Sequence, residues 1–150
     1  MNQNNQITAD TKLYGFIAQE AHSNRLSVTV NKLFKENSIN AMVIPMNIRP
    51  DDIAFTISQM RSSKLNGALI SSEYQESAFA LIDTPSDTVQ EHGICDCILI
   101  EEGLLYGDLI MPRALEKFAE RDDFQDDIAL RAMCHYFYEL ITGEDNDKKR

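Results

Sequence analysis

Three cysteines, three histidines and a run of aspartates are the residues of this chain whose types most directly suggest chemistry. Cys95 and Cys97 flank Asp96, and on an extended strand alternation sends both thiols to one face and Asp96 to the other. Two thiols are too few for a zinc site, and His22, His92 and His135 lie at no ligand spacing. The cysteines are therefore expected as buried apolar side chains, and no metal is expected. Nothing in the spacing sets a base beside either thiol to make it a nucleophile. Asp122-Asp123 with Asp126-Asp127 lacks the spaced ligands and the glycine of a calcium loop. It reads instead as a helix start, where carboxylates complement the helix dipole. His135, with Tyr136 and Tyr138, reads as helix surface and core edge. No G-x-G-x-x-G turn is present to cradle a dinucleotide pyrophosphate, so no cofactor is expected.

These residues need elements to hold them. Lys12–Ile17 reads as a first strand, and Leu26, Val30, Leu33 and Phe34 follow at helical spacing. Ala41–Pro45 is a compact apolar strand. Pro50-Asp51-Asp52 starts a helix with Ile53, Ile57 and Met60 as its stripe, and Asn66-Gly67 ends that unit. Ala68–Ser71 is a third strand, followed by a helix carrying Tyr74, Ala78, Leu81 and Ile82. Thr84–Asp87 opens a short helix that Gly93 stops. Ile94–Ile100 and Leu104–Tyr106, around Glu101-Glu102-Gly103, predict a hairpin. The order predicts an α/β fold: a mostly parallel sheet with an antiparallel hairpin edge and helices on both faces. From Pro112 the chain reads as helix in two pieces broken near Asp122. The second carries Ile128, Met133, Phe137, Leu140 and Ile141, and exposing that stripe would sacrifice about 1.5–3 kcal/mol per residue. It is predicted to pack back on the domain.

The chain has 150 residues, 43% hydrophobic and 25% charged, an ordinary globular balance for one domain. The predicted division is a disordered polar start over 1–10, a domain over 11–143 and a disordered tail over 144–150. That length leaves no room for a second domain of dinucleotide-binding size. A formal charge of −10 repels phosphate backbones, which argues against nucleic acid. No apolar run approaches the roughly 20 residues of a membrane span. With no secretory signal and an odd cysteine count, reduced thiols and a cytoplasmic location are expected.

Four short signatures occur in order: Tyr14-Gly15 with His22-Ser23-Asn24-Arg25-Leu26, then Gly67 to Gln75, Gly93 to Cys97, and Gly107 to Pro112. Together they resemble the N-terminal, substrate-binding half of the shikimate dehydrogenase family. That family has a glycine followed by His-Ser-x-Ser-Pro, then Gly-x-Asn-Val-Thr-x-Pro-aromatic-Lys, Gly-Ala-Val-Asn-Thr and Gly-Asp-Asn-Thr-Asp-Gly. None is intact here, and the glycine-to-histidine spacing is two residues longer. Met133, Tyr138 and Thr142-Gly143 resemble the family's last helix, which returns from the cofactor domain to the first domain. The resemblance suggests a cofactor domain cut out, with Pro112–Ala119 as the bridge; an unrelated helix capping the sheet is the alternative.

The resemblance also says what has changed. The family's Lys/Asp pair at the reacting hydroxyl maps to Gln75 and Met111, neither of which can manage a proton near neutral pH. A dehydrogenase is therefore not expected. The two carboxylate-binding serines map to Ser23 and Arg25; Arg25 either grips a carboxylate bidentately or is a surface arginine at a helix start. The hydroxyl-reading Asn positions map to Leu69 and Asp96, the Thr to Ser71 and the Gln to Met133. The expected role is a catalytically inactive domain that binds a small carboxylate metabolite as a sensor or accessory subunit. Its site candidates are Ser23, Arg25, Ser71, Gln75 and Asp96. The alternatives are an interaction scaffold whose cleft is plugged by Met111, Met133 and Leu69, working as a homodimer or with a separate protein partner, and half of a split NADP-dependent enzyme.

Overall fold

Alternation along the first strand divides the core into two. Tyr14, Phe16 and Ala18 of β1 (Lys12–Ala18) join one buried cluster, and Ile17 between them joins another. In the computed structural model, which describes residues 7–143, helices cover both faces of the sheet to which β1 belongs. The chain continues through α1 (Leu26–Glu36), β2 (Ala41–Asn47), α2 (Ile53–Gln59), β3 (Gly67–Ile70) and α3 (Gln75–Leu81). It then forms β4 (Thr84–Pro85), α4 (Asp87–His92), β5 (Cys97–Glu101), β6 (Leu104–Asp108), α5 (Met111–Phe118) and α6 (Ile128–Thr142). The strand order is β2-β1-β3-β5-β6-β4. Pairs β1–β2, β1–β3 and β4–β6 are parallel, and β5 is antiparallel to both its neighbours.

The predicted α/β class, the three parallel strands and the hairpin are all present. Glu102 (φ 53°) and Gly103 (φ 77°) make a two-residue turn with positive φ at both positions, the geometry whose twist matches the flanking strands. Gly67 opens β3 rather than closing the preceding unit. A Cβ there would lie 2.3 Å from the Ile98 carbonyl oxygen, so only glycine lets β3 and β5 approach this closely.

Thr84-Pro85 differs from expectation. It is a two-residue strand outside β6, held by Asp83 N–H to the Leu105 oxygen and Ser86 N–H to the Gly107 oxygen, both 2.9 Å. Pro85 has no N–H and sits between these two bonds, where none is needed. The outermost strand is therefore β4, and the hairpin lies inside it. Ser86 then caps α4, its Oγ accepting from Val89 N–H at 3.2 Å.

One further expectation is corrected and another is refined. Cys95 and Cys97 do not share a face: β5 begins at Cys97, so alternation does not reach Cys95, and the two thiols fall in opposite clusters. The aspartate run is a helical start, as expected: Asp122–Asp127 forms a 3-10 turn with Asp122 and Asp123 in its first turn, directly ahead of α6. Asp123 pairs with Arg121, Asp126 with Arg131 and Asp127 with Arg25, and the α6 start has no side-chain cap. Of the predicted polar start, residues 1–6 lie outside the described residues, as does the tail 144–150. Residues 7–10 are described, and Thr11 N–H closes a turn on the Thr8 oxygen at 3.2 Å, so definite structure begins ahead of residue 11.

The last helix packs back as predicted. Phe137 is fully buried and meets the Tyr14 ring edge-on, centroids 5.3 Å apart; Tyr138 meets Phe34 at 6.0 Å. Together α1, α5 and α6 close one face, and α2, α3 and α4 close the other. Phe137→Ala should lower unfolding free energy by about 3–5 kcal/mol, because the cavity lies between α6 and β1 with no solvent to fill it. A urea titration followed by circular dichroism measures this; a loss under about 1 kcal/mol would mean that α6 is not part of the core.

Candidate functional site

The parallel strands β1 and β3 end on the same side of the sheet, beside the start of the antiparallel β5 and the end of β6. The first residues of α1, α3, α5 and α6 gather at that edge. Crevices outside the carboxyl ends of parallel strands are where open α/β sheets hold ligands. Here the edge carries a cleft of about 830 Å³. Ser23 and Arg25 reach it from the β1–α1 turn, Ser71 and Gln75 from the β3–α3 turn, and Asp96 from the segment before β5. All five sequence candidates thus line one cavity, together with Met111 and Met133. Leu69 does not: it is fully buried in the cluster under α1 and α6, and its neighbour Ile70 faces the cleft instead.

Four of these five polar side chains, those of Arg25, Ser71, Gln75 and Asp96, have defined partners. Ser71 Oγ donates to Glu73 Oε1 at 2.7 Å, and Glu73 Oε2 accepts from Gln19 N–H at 2.8 Å. Partial burial pushes the Glu73 carboxyl up, but these hydrogen bonds outweigh it and hold it below the usual value. Gln75 Nε2 donates to the Ile70 backbone oxygen at 3.0 Å, and the Gln75 backbone oxygen accepts from Cys95 N–H at 3.1 Å. Arg25 forms an ion pair with Asp127 that joins the starts of α1 and α6. With the arginine side chain 65% exposed, this pair adds little stability. Of the two readings left open for Arg25, the geometry gives a third: a cation already engaged, by one nitrogen, at the mouth of the cleft.

Asp96 is the unexpected residue. It is 1% exposed, and its Oδ1 and Oδ2 accept from Ile110 N–H at 2.8 Å and Met111 N–H at 3.0 Å. It holds the start of α5 from another element. Burial raises its pKa to about 6, and Asp108 adds to the rise, against the two backbone bonds and Arg113. Behind it, Arg113 bonds Asp108 Oδ2 at 2.7 Å and the Tyr136 hydroxyl at 2.9 Å, and Ser86 Oγ donates to Asp108 Oδ1 at 2.9 Å. Burial works against the Asp108 anion, but the guanidinium holds its carboxyl below the usual range. Sequence reading missed this network and Asp127 alike, since their partners lie far apart along the chain.

The remaining candidates are structural. Burial pushes the Cys95 and Cys134 thiols up to about 12, and Cys97 well above its ordinary value, which keeps them protonated and poorly nucleophilic. His135 packs on Phe124, centroids 4.6 Å apart, and burial pulls its pKa down. Among the described residues no cluster of three His, Cys, Asp or Glu side chains could hold a metal ion.

The family model of the shikimate dehydrogenase substrate binding domain matches residues 17–98. The shikimate dehydrogenase (NADP(+)) of Pyrococcus furiosus is 28% identical over 120 residues, covering 77% of this chain and 44% of that protein. The corresponding protein of Aquifex aeolicus is 27% identical over 101 residues, covering 67% of this chain and 38% of that protein. Among solved structures, a shikimate dehydrogenase in complex with NADP+ aligns with a TM-score of 0.72 at 19% identity, over 78% of this chain and 41% of that one. The chain spans less than half the length of these relatives. The described residues do not fit a nicotinamide dinucleotide. The strand-to-helix turns 19–25, 71–74 and 109–111 contain no glycine where a backbone would approach a pyrophosphate.

The environment of Asp96 gives a pH signature. Its folded pKa of about 6 lies above the unfolded value near 3.9, so the fold favours the protonated acid. Its contribution is fully present below pH ~4 and is lost as pH rises through 6, by roughly 3 kcal/mol for about two pKa units. Carboxylates with depressed pKa values act oppositely, so the measurement is the difference between wild type and Asp96→Asn. In denaturant titrations from pH 4 to pH 7 the wild type should lose stability relative to the variant; a pH-independent difference would place Asp96 at its ordinary pKa.

Proposed function

The chain belongs to the shikimate dehydrogenase substrate-binding domain family, and we propose that it binds a small carboxylate metabolite in the cleft without oxidising or reducing it. The observation that carries this reading is the open cleft of about 830 Å³, lined at once by Ser23, Arg25, Ser71, Gln75 and Asp96. Met111 and Met133 form part of its wall and leave it unfilled, which counts against a scaffold with a plugged site. In this reading the Ser23 hydroxyl and the uncommitted nitrogens of Arg25 receive the carboxylate. Ser71, Gln75 and Asp96 meet the opposite end of the ligand.

The same lining argues against catalysis. Moving a hydride to or from a hydroxyl carbon requires a group that takes or supplies the hydroxyl proton. Gln75 and Met111, which stand where the family resemblance places that pair, can do neither. A second chain or domain bringing a nicotinamide would not restore them. A role as a sensor or accessory subunit follows from binding without turnover. The three buried, unpaired thiols suit a reducing, cytoplasmic setting, and among the described residues no helix is long and apolar enough to cross a membrane.

Titration with shikimate and related six-membered ring carboxylates, read by thermal shift, tests this proposal. A ligand at about 100 times its Kd should stabilise the protein by about 2.7 kcal/mol. Arg25→Ala should weaken binding roughly 10- to 100-fold, the loss of a charged hydrogen bond of about 1.5–3 kcal/mol. Absorbance at the nicotinamide band should stay flat with NADP+ and any of these acids. No shift with any ring acid would overturn the binding reading, and turnover abolished by Gln75→Ala would overturn the inactive one.

A further inference from the structure

Of the side chains lining the cleft, four are titratable: Arg25, His92, Asp96 and Asp127. Two are aspartates, and the arginine is already paired with one of them. The inner aspartate, Asp96, meets only backbone N–H groups. For a site thought to take an anion, this balance is reversed.

The hydrogen-bond directions sharpen the point. A carboxylate only accepts, so the single hydroxyl hydrogen of Ser71 is committed to Glu73, and Ser71 Oγ offers a ligand lone pairs alone. A peptide carbonyl likewise only accepts, so the Gln75 atom facing the Ile70 oxygen is its amide nitrogen; this fixes the side chain's orientation and leaves Oε1 as an acceptor. Asp96 accepts two backbone bonds and has lone-pair positions to spare. The three residues are neighbours: Ile70 N–H bonds the Asp96 backbone oxygen at 2.9 Å, and Cys95 N–H bonds the Gln75 backbone oxygen at 3.1 Å. Among these three side chains only the second hydrogen of Gln75 Nε2 remains to donate. This end of the cleft is a cluster of acceptors around a buried acid.

Resting on the reading that Arg25 and Ser23 take a carboxylate, we propose that the ligand is zwitterionic, a compact carboxylic acid whose primary ammonium group faces Asp96, Ser71 and Gln75. An ammonium brings three donors to a site rich in acceptors, and its charge answers that of Asp96. A hydroxyl brings one donor and no charge. An acid with neither adds a negative charge to a lining whose two aspartates face a single arginine. Glu73 lies outside the cleft lining and acts as a positioning residue, because it fixes Ser71 as an acceptor.

Calorimetric titration of the full chain at pH 7.5 compares three probes: cis-3-aminocyclohexane-1-carboxylate, its 3-hydroxy counterpart and cyclohexanecarboxylate. The amino acid should bind at least about tenfold tighter than either of the others, equivalent to about 1.4 kcal/mol. Asp96→Asn should bring it down to the affinity of the hydroxy acid. Should that variant not fold, Glu73→Ala, at an exposed position, should reduce the preference by freeing the Ser71 hydrogen. Equal or tighter binding of the hydroxy or plain acid overturns the amine assignment and leaves the carboxylate reading standing. A preference unchanged in every variant that folds also overturns the assignment. Binding by none of the three removes both.

Discussion

The shape of the cleft depends on one residue, Asp96, which joins the ends of β3 and β6 to the start of α5. The Asp96 backbone oxygen accepts from Ile70 N–H at the end of β3, and its N–H donates to the Asp108 oxygen at the end of β6 at 3.1 Å. Its carboxylate takes the first N–H groups of α5. Those N–H groups have no partner within the helix, and leaving each buried and unpaired would cost about 1–3 kcal/mol. Asp96 therefore sets where α5 starts, and α5 with α6 sets the far wall of the cleft.

Holding a buried carboxylate there is expensive, and the raised pKa reflects that cost. Two backbone N–H groups and the helix dipole offset part of the desolvation, and Arg113 helps from the far side of Asp108. The guanidinium is itself fixed by Asp108 and Tyr136, and Asp108 by Ser86, so the wall behind the cleft is one ion pair braced by two hydroxyls. A neutral amide at position 96 would escape the charge penalty, but its single oxygen could accept only one of the two N–H bonds. The acid is the side chain that satisfies both, and a cationic group on a ligand would offset the cost of its charge.

How much of this the sequence reveals depends on how local each cause is. The strands Lys12–Ala18, Ala41–Asn47 and Gly67–Ile70 are legible because apolar runs bounded by turn residues have few other solutions, and Gly103 marks the hairpin turn by itself. β4 was hidden: Thr84-Pro85 has strand geometry only because β6 lies alongside, which no local pattern records. The Cys95 face was misjudged because alternation holds only inside the strand, which starts two residues later. The five residues that line the cleft together are legible through the resemblance to a family, whereas the partners of Asp96 and Arg25 are not. Arg25 and Asp127 are 102 positions apart, and Asp96 is 14 and 15 positions from the N–H groups that it holds.

The fold and the chemistry draw on different parts of the same residues, which explains how one can persist while the other changes. At Met111 the fold uses the backbone N–H and the apolar packing of the side chain against the core, neither of which calls for a carboxylate. At Gln75 the fold uses the backbone oxygen, and the bond from Nε2 to Ile70 needs only a donor, not a titratable one. Neither position that the family resemblance assigns to proton transfer needs a titratable side chain for the fold. Asp96 is the opposite case, since its carboxylate holds α5 in place. Substitution at 75 and 111 can remove an activity and leave the sheet, the cleft and its acidic end intact. What remains is a container whose inner polarity is set by the residue the fold is least free to replace.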